Sequence, residues 1–407
     1  MKQLVVIGAG LAGLYASCVA ARRGAHVTLL TSGRGGLGLS SGRIEVWSRG
    51  VPDRAPSEAP RGHPYRIIST GDLHASVSLF REIVSEQNLP YEGESTSNLL
   101  LPTAMGTLRA AALTPESQSL SRIPPGARLG VAGVEGFRDF SAALATAGKL
   151  GRRSVTVLPD LPPPSPQARR ELYSTDLALQ FDRREEIDQV VRRWQAPLAG
   201  FEALLLPAVL GWHHHAEVHR TLETELGIPI VEIPTLPPSI PGLRLERALQ
   251  LAGQAAGVHY VEGSSAVGRV AGGTRSRRAD AVAAMTQGGM RVYPAQAVIL
   301  ATGGALHGGW RLNADGEGRE SVFGLPLSQP RDSGEWTAAR MSAHQPYAYF
   351  GVRVDRDLRP LAADGTPAFE NVFAAGGILS GADRTRDGSR QGIDLVTAYR
   401  AVRAALE

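Results

Sequence analysis

Val5-Val6-Ile7-Gly8-Ala9-Gly10-Leu11-Ala12-Gly13 opens the chain, and its reading decides the fold. The apolar run Leu4 to Ile7 predicts a buried strand. Three glycines follow at the spacing G-x-G-x-x-G, and Leu14 to Arg23 carries helix-forming residues. The glycines serve three separate ends, namely a tight turn, close backbone approach to a pyrophosphate, and packing of helix on strand. Unpaired N–H groups and the helix dipole would favour an anion at Gly8, Ala9, Gly10, Leu11, Ala12 and Gly13. A second strand, His26 to Leu30, completes a βαβ unit. One expected part is missing. A dinucleotide site usually carries a carboxylate at the end of its second strand, but here that strand runs into Thr31 and Ser32. Those hydroxyls can hold a ribose less tightly, and a mononucleotide would not need the contact.

Working outward, 407 residues suffice for two domains, or one interrupted by another. The composition, 43% hydrophobic and 20% charged with 47 Gly, is that of a globular enzyme with repeated close backbone approaches. A net charge of +4 without a strongly basic run gives nucleic-acid binding little support, and Arg275, Arg277 and Arg278 read as a decorated turn. Lys2 and Lys149 are the only lysines. The single cysteine, Cys18, excludes an internal disulfide or an iron–sulfur cluster within the chain, and reads as a small packed residue. The N-terminus enters the strand directly, and no apolar run approaches ~18 residues, so the expected location is cytoplasmic.

The glycine-rich loop Gly33 to Gly42, with Ser40, Ser41 and Gly42, could lay amides along a flat ring system. From about His63 to Pro241 the pattern changes. Ser76 to Gln87 and Phe137 to Gly148 read as helices, Pro159 to Pro166 as a connection, Asp182 to Trp194 as a charged helix, and Leu204 to Val209 as a strand. His213, His214 and His215 are adjacent, and neighbours on one segment rarely close one metal site, so no metal is expected. Pro234 to Ser239 reads as a linker. The first pattern then returns with a helix (Leu243 to Ala256), strands at Val258 to Glu262 and Ala266 to Val270 (with Val267), and a hairpin around Gln287 to Gly289. The apolar strand Ala297 to Leu300 runs into Ala301-Thr302-Gly303-Gly304. Near the end, Glu370 to Ile378 contains Gly376-Gly377, and a last helix spans Gly392 to Leu406.

Three separated segments thus share one logic. The expected fold is α/β, a Rossmann-type two-part flavin-binding domain with parallel sheet and β-meander, interrupted by an inserted α+β lobe. Residues 1–62, 242–306 and 364–407 form the flavin domain; 63–241 and 307–363 form the lobe facing substrate and partners. A nicotinamide dehydrogenase needs only the first βαβ unit and leaves the two later glycine turns unexplained.

Over nearly its whole length the chain resembles the B-subunit family of anaerobic glycerol-3-phosphate dehydrogenases. The resemblance rests on Gly8 to Gly13, Ser40-Ser41-Gly42, His63-Pro64-Tyr65, Gly106-Thr107-Leu108-Arg109, Gly133 with Gly136 and Asp139-Phe140. It continues through Pro234 to Ser239 with Gly242 and Arg244, Gln345-Pro346 with Phe350-Gly351, and Leu358-Arg359-Pro360 leading to Glu370-Asn371. It implies a flavoprotein, usually described with FMN, beside a catalytic FAD subunit and an iron–sulfur membrane-anchor subunit. That assembly oxidises glycerol 3-phosphate to dihydroxyacetone phosphate and passes electrons toward quinone at the membrane's inner face. The stretch Gly388-Ser389-Arg390-Gln391-Gly392 departs from a more glycine-rich family pattern.

Oxidising an alcohol needs a base near the carbinol, and a phosphate ester favours arginine. His344 and Arg353, which bracket the loop feeding the C-terminal glycine turn, are the catalytic candidates; His63, Arg109 and Arg244 are the substrate-binding ones. FMN and FAD both stay open, as does the oligomeric state. Two rival readings remain: an independent flavin dehydrogenase of another small hydroxy or unsaturated acid, and a non-catalytic assembly subunit.

Overall fold

The computed structural model describes residues 2–147, 155–165, 171–270, 276–313 and 316–407; Gly148, Lys149, Pro166 and Arg275 lie outside the described residues. The opening unit forms as its pattern requires, with β1 (Gln3–Ile7), α1 (Leu11–Arg22) and β2 (His26–Thr31). Four of the five β1 residues are buried, and α1 is buried from Leu11 to Ala20. The helix is apolar nearly all round because α2 (Thr70–Ser85) and two later helices enclose it. Its polar groups are satisfied internally: Ser17 Oγ donates to Gly13 O at 2.8 Å, and Tyr15 OH donates to Ser76 O at 2.7 Å.

The chain then builds a second unit, with β3 (Leu129–Val131), β4 (Val155–Val157), α3 (Arg184–Trp194), β5 (Ala203–Pro207), α4 (His215–Leu226) and β6 (Ile230–Ile233). These strands pair in parallel in the order β6-β5-β3-β4. Helices alternate with these strands, and the inserted lobe also holds antiparallel pairs, Tyr91–Gly93 with Leu113–Pro115 and Leu99–Pro102 with Leu108–Ala111. Burial of β5 and β6 along their whole length is what a parallel sheet covered on its faces demands. Among the described residues of the helix expected over Phe137 to Gly148, Ala142–Thr146 is helical, started by Ser141, whose Oγ accepts from Leu144 N.

Returning to the first unit, α5 (Ile240–Ala255) leads to β7 (His259–Glu262), the antiparallel meander β8 (Ser265–Val270), β9 (Ala281–Thr286) and β10 (Gly289–Pro294), and then β11 (Ala297–Leu300). After a long irregular stretch come β12 (Val372–Ala374) and the final α6 (Arg390–Leu406). The main sheet is parallel, in the order β7-β2-β1-β11-β12. From β1 the order runs one way through β2 and the other through β11. That switch point, at the carboxyl end of β1, is where an open α/β sheet leaves a crevice.

Two main cores result. The first joins the main sheet to its helices; the second holds apolar residues between Ile123 and Ile233. Two stretches grouped with the lobe on sequence pack into the first core instead. Tyr65, Leu73, Phe80, Ile83 and Leu113 bury there because α2 lies on α6 and α5. Trp310, Leu325, Phe350 and Val352 do the same from the 307–363 segment.

Candidate functional site

The crevice is lined by glycines whose surroundings differ. Gly8 has φ +110°, and a Cβ there would meet the Ala301 carbonyl. A Cβ on Gly13 would overlap the carbonyl oxygen of Gly8, so α1 can approach β1 only because Gly13 has none. Gly10 is the exception: nothing lies within 4 Å of where its Cβ would sit. It also precedes Leu11, the first residue of α1, and makes no side-chain cap. The N–H groups of the first helical turn therefore border open space, which suits an anion.

The later segments close on this loop. Gly35 abuts Ala9 and Gly10, and Gly36 abuts the His307 ring. Gly303 (φ +76°) lies beside the same ring, with Gly377 against Gly303 and Gly304. Gly376 (φ +75°) packs on Ala12 and Asp394, and its N–H donates to Thr397 Oγ1 at 2.9 Å. The Ser40-Ser41-Gly42 turn bridges two helix starts. Gly42 (φ +76°) rests on Pro241, and Ser40 Oγ accepts from Gln391 Nε2 at 3.4 Å. Val267 is the extra residue of a β-bulge opposite Ala283 and Ala284, half exposed on the meander. Of the cofactor candidates, the Gly8–Gly13 loop touches Ala301, Thr302 and Gly376, and Gly377 touches Gly303, whereas the Ser40-Ser41-Gly42 turn packs on Pro241 and Gln391 and Val267 lies out on the meander.

Polar atoms around the crevice lack protein partners. Among the described residues, Thr302 Oγ1, Trp310 Nε1, Arg384 Nε and Ser389 Oγ are buried without a hydrogen bond. Trp310 Nε1 lies beside Gly304, Arg384 touches Gly377, and Ser389 precedes α6. Buried polar atoms are normally paired, so a set of orphans around one crevice fits a polar ligand. Arg384 and Asp394 form an ion pair at 2.5 Å. Burial raises the Asp394 carboxyl above its usual range, against Arg384, Arg390 and His307.

The adjacent strand places a carboxylate beside the end of β2. Glu262 ends β7 directly opposite Thr31, and Ser264 N donates to Thr31 O at 2.8 Å. Behind it lies Glu246 of α5, 3.8 Å from Arg34 and raised by burial despite that arginine. The sequence points to an acid on the same strand and cannot reveal one that the sheet order brings alongside. Thr31 Oγ1 is turned onto Gly33 O.

A second polar cluster gathers residues far apart in sequence. His63 is 2% exposed, walled by Trp47 and Tyr65 at ring distances of 5.6 and 5.0 Å. Its Nδ1 accepts from Tyr65 N at 3.1 Å, whereas its Nε2 has no partner and lies 3.7 Å from Asp387 Oδ2. Arg49 holds Asp387 Oδ1 at 2.9 Å. Burial first, and Arg49 second, lower His63 to about 4. Asp387 is raised, first by burial and also by Asp383, against Arg49 and His344. The structure thus brings His63 to Asp387, while His344 is exposed and acts on that carboxyl only through its charge. Arg49, Asp387 and Tyr349 are not foreseeable from sequence, since nothing in their local surroundings marks them. Arg353 is exposed beyond Val352, and Arg109 is exposed and paired with Glu45.

Arg244 stands elsewhere. It is 4% exposed, on α5, with Nη1 and Nη2 on the two oxygens of Glu232 at 2.6 and 3.1 Å and Nε on Gly211 O at 2.8 Å. Glu232 also accepts from Ser117 Oγ and Leu210 N. Burial alone would raise the Glu232 carboxyl; Arg244 more than offsets it, holding it at about 2. This pair ties the second lobe to α5. The neighbouring histidines are structural too: Asp182 accepts from the backbone N–H groups of Trp212, His213 and His214, and His215 Nδ1 bonds Leu210 O at 2.8 Å.

A family model described as FAD binding domain matches residues 3–393. Curated relatives match from end to end. The B subunit of anaerobic glycerol-3-phosphate dehydrogenase from Pectobacterium atrosepticum is 29% identical, covering 99% of this chain and 98% of its own. The probable B subunit of anaerobic glycerol-3-phosphate dehydrogenase from Halobacterium salinarum is 30% identical, covering 100% and 98%. Among solved structures, 3-ketosteroid-delta4-(5alpha)-dehydrogenase from Rhodococcus jostii superposes with a TM-score of 0.45 at 12% identity, covering 100% of this chain and 97% of that one.

Proposed function

We propose, since the chain belongs to the FAD binding domain family and to the family of anaerobic glycerol-3-phosphate dehydrogenase B subunits, that it binds FAD and oxidises glycerol 3-phosphate within a multi-subunit assembly. The observation that carries this reading is the crevice at the β1 switch point, open at Gly10 and ringed by partnerless buried polar atoms. The N–H groups of Leu11 and Ala12 would take the pyrophosphate. Thr31, Ser32 and Glu262 would take the adenosine ribose, which favours FAD over FMN. Thr302, Gly303, Gly376, Gly377 and Ser389 would face the ring system. When bound, the flavin supplies a two-electron acceptor. The chain's own residues bind it, orient it and exclude water from its face, because the closing loops are held by main-chain packing at Gly35 and Gly377.

The acceptor beyond the flavin is quinone, reached through partner subunits: the resemblance gives a catalytic FAD subunit and an iron–sulfur membrane-anchor subunit. Among the described residues no helix is long and apolar enough to cross a membrane, so attachment at the inner face would come through those partners. The test is the visible spectrum of the purified chain, mass identification of the molecule released on denaturation, and anaerobic addition of glycerol 3-phosphate. Released FAD with bleaching of the flavin band is expected. A colourless chain that neither flavin restores refutes the reading.

A further inference from the structure

We propose that Arg384, seated by Asp394, is the positive charge that favours a reduced flavin over an oxidised one, and so sets the potential at which this chain passes electrons; this rests on the flavin binding proposed above and needs no substrate site on this chain. Two glycines make the seat. A Cβ on Gly376 would meet Asp394 Oδ1, and a Cβ on Gly377 would meet Arg384 Nη1. The ion pair therefore occupies the space that two side chains would have taken. Gly377 lies in turn against Gly303 and Gly304, and Trp310 Nε1 stands beside Gly304. The guanidinium is thus part of the crevice wall, next to the turns that carry the partnerless Thr302 Oγ1 and Trp310 Nε1.

Within the protein the guanidinium is only partly satisfied. Arg384 Nη2 donates to Asp394 Oδ1 and, at 2.8 Å, to the main-chain oxygen of Arg390, while Ser389 N donates to Arg384 O at 3.1 Å and closes the loop. One nitrogen is fixed in this way, but Nε is buried and has no partner. Buried donors are normally paired, so an arginine placed for structure alone would have spent this one. The start of α6 adds charge of the same sign. Its first turn carries no acidic residue, and Ser389 makes no side-chain cap, its Oγ being buried and unpaired.

The sign of the effect follows from charge balance. Two electrons and one proton, exchanged with the redox groups of the partner subunits, add one net negative charge to a flavin. A fixed positive charge in a poorly solvated wall stabilises that added charge more than it stabilises the neutral oxidised ring, and the ratio of the two affinities is the shift in potential. Asp394 works the other way. It orients Arg384 and offsets part of its charge, and burial raises its carboxyl even against Arg384, Arg390 and His307.

Spectroelectrochemical titration of the full chain with its flavin tests this, at pH 8, where solvent and Arg384 both favour the carboxylate form of Asp394. Arg384→Met should cut the preference for reduced over oxidised flavin by about 10–100-fold, a midpoint potential about 30–60 mV lower for a two-electron couple. Arg384→Lys, which keeps the charge, should recover part of that loss. Asp394→Asn should move the potential upward instead. Opposite signs separate a charge effect from a structural one, since a pair that merely held the loop would be broken alike from either side. Sulfite, which adds to an oxidised flavin and leaves a negative charge on the ring, gives a second readout: its adduct should weaken in Arg384→Met and strengthen in Asp394→Asn. Flavin-loaded Arg384→Met at the wild-type potential overturns the proposal and leaves the function reading standing, and so does a fall in both variants. If Arg384→Met sheds its flavin, Arg384→Lys and Asp394→Asn decide, and a lowered potential in Asp394→Asn overturns the proposal. A wild-type chain that takes up neither flavin overturns the proposal and the function reading together.

Discussion

Arg244→Ala removes both guanidinium nitrogens that face Glu232 and leaves a carboxylate with no exposed surface. Of the four hydrogen bonds that Glu232 accepts, only those from Ser117 Oγ and Leu210 N survive. Breaking a buried pair from one side costs about 3–5 kcal/mol, because the remaining charge stays desolvated. At about 2–4 °C per kcal/mol for a unit of 150–250 residues, the melting temperature should fall by roughly 6–20 °C. The double variant Arg244→Met with Glu232→Leu should recover most of this, though not all, since Leu210 N loses its acceptor at about 1–3 kcal/mol. The pH dependence has a definite sign. Glu232 sits at about 2 in the fold against an ordinary 4.5, so its contribution is complete above 4.5 and is lost as pH falls toward 2. The deficit of Arg244→Ala should therefore shrink in acid, where the stranded carboxylate can take a proton. Differential scanning calorimetry across pH 4–7, with calorimetric titration of glycerol 3-phosphate, measures all of this. A drop under about 1 kcal/mol with lost binding would mean that Arg244 serves substrate and not the join between lobes.

Gly10→Ala should fold with an unchanged melting temperature in the flavin-free state and yet lose flavin, because its Cβ meets only open space; full flavin content in that variant would refute the anion site. Gly13→Ala should not give soluble protein at all, as its Cβ overlaps Gly8 O; expression yield and solubility check this. His63 and His215 stay neutral down to about 4 and 3, held there first by burial, whereas the unfolded chain takes up their protons near 6.5. Stability should thus decline from pH 6.5 downward by about 1.4 kcal/mol per unit per histidine until those values are reached. His215→Gln should flatten that slope in urea titrations. Cys18 is buried with its thiol pushed up to about 12, so a thiol reagent should leave it untouched in the native chain and label it in urea.

The main sheet was legible because its signals are local. Glycine spacing, apolar runs and turn residues within 30 positions of one another define β1, α1 and β2, and the same signals mark β11 and β12. What failed to show was whatever depends on which strand lies beside which. Glu262 comes to lie beside the end of β2 only through the β7-β2 pairing, and Arg244 looks like a phosphate ligand until β6 places Glu232 against it. Arg49, His63, His344, Tyr349 and Asp387 come from separate stretches of irregular chain, and no spacing rule connects them. The parallel pairing of four strands in the second lobe was not legible, because those strands are short and separated by helices whose amphipathicity says nothing about strand direction.

β1 is made well before its sheet neighbour β11 and before β12 beyond it. At about 5–20 residues per second on the ribosome, the interval between Ile7 and Ala374 lasts roughly 20–70 seconds. Through that time β1 has β2 on one side but lacks β11 on the other, and the largely apolar α1 lacks α6, while residues 123–233 can assemble their own core. Lys2 Nζ meets Ala405 O in the finished molecule, so β1 and α6 close the same seam. A chain cut before α6 would leave α1, β11 and β12 uncovered on the side where that helix packs, so a flavin bound as proposed above would load only after α6 is made.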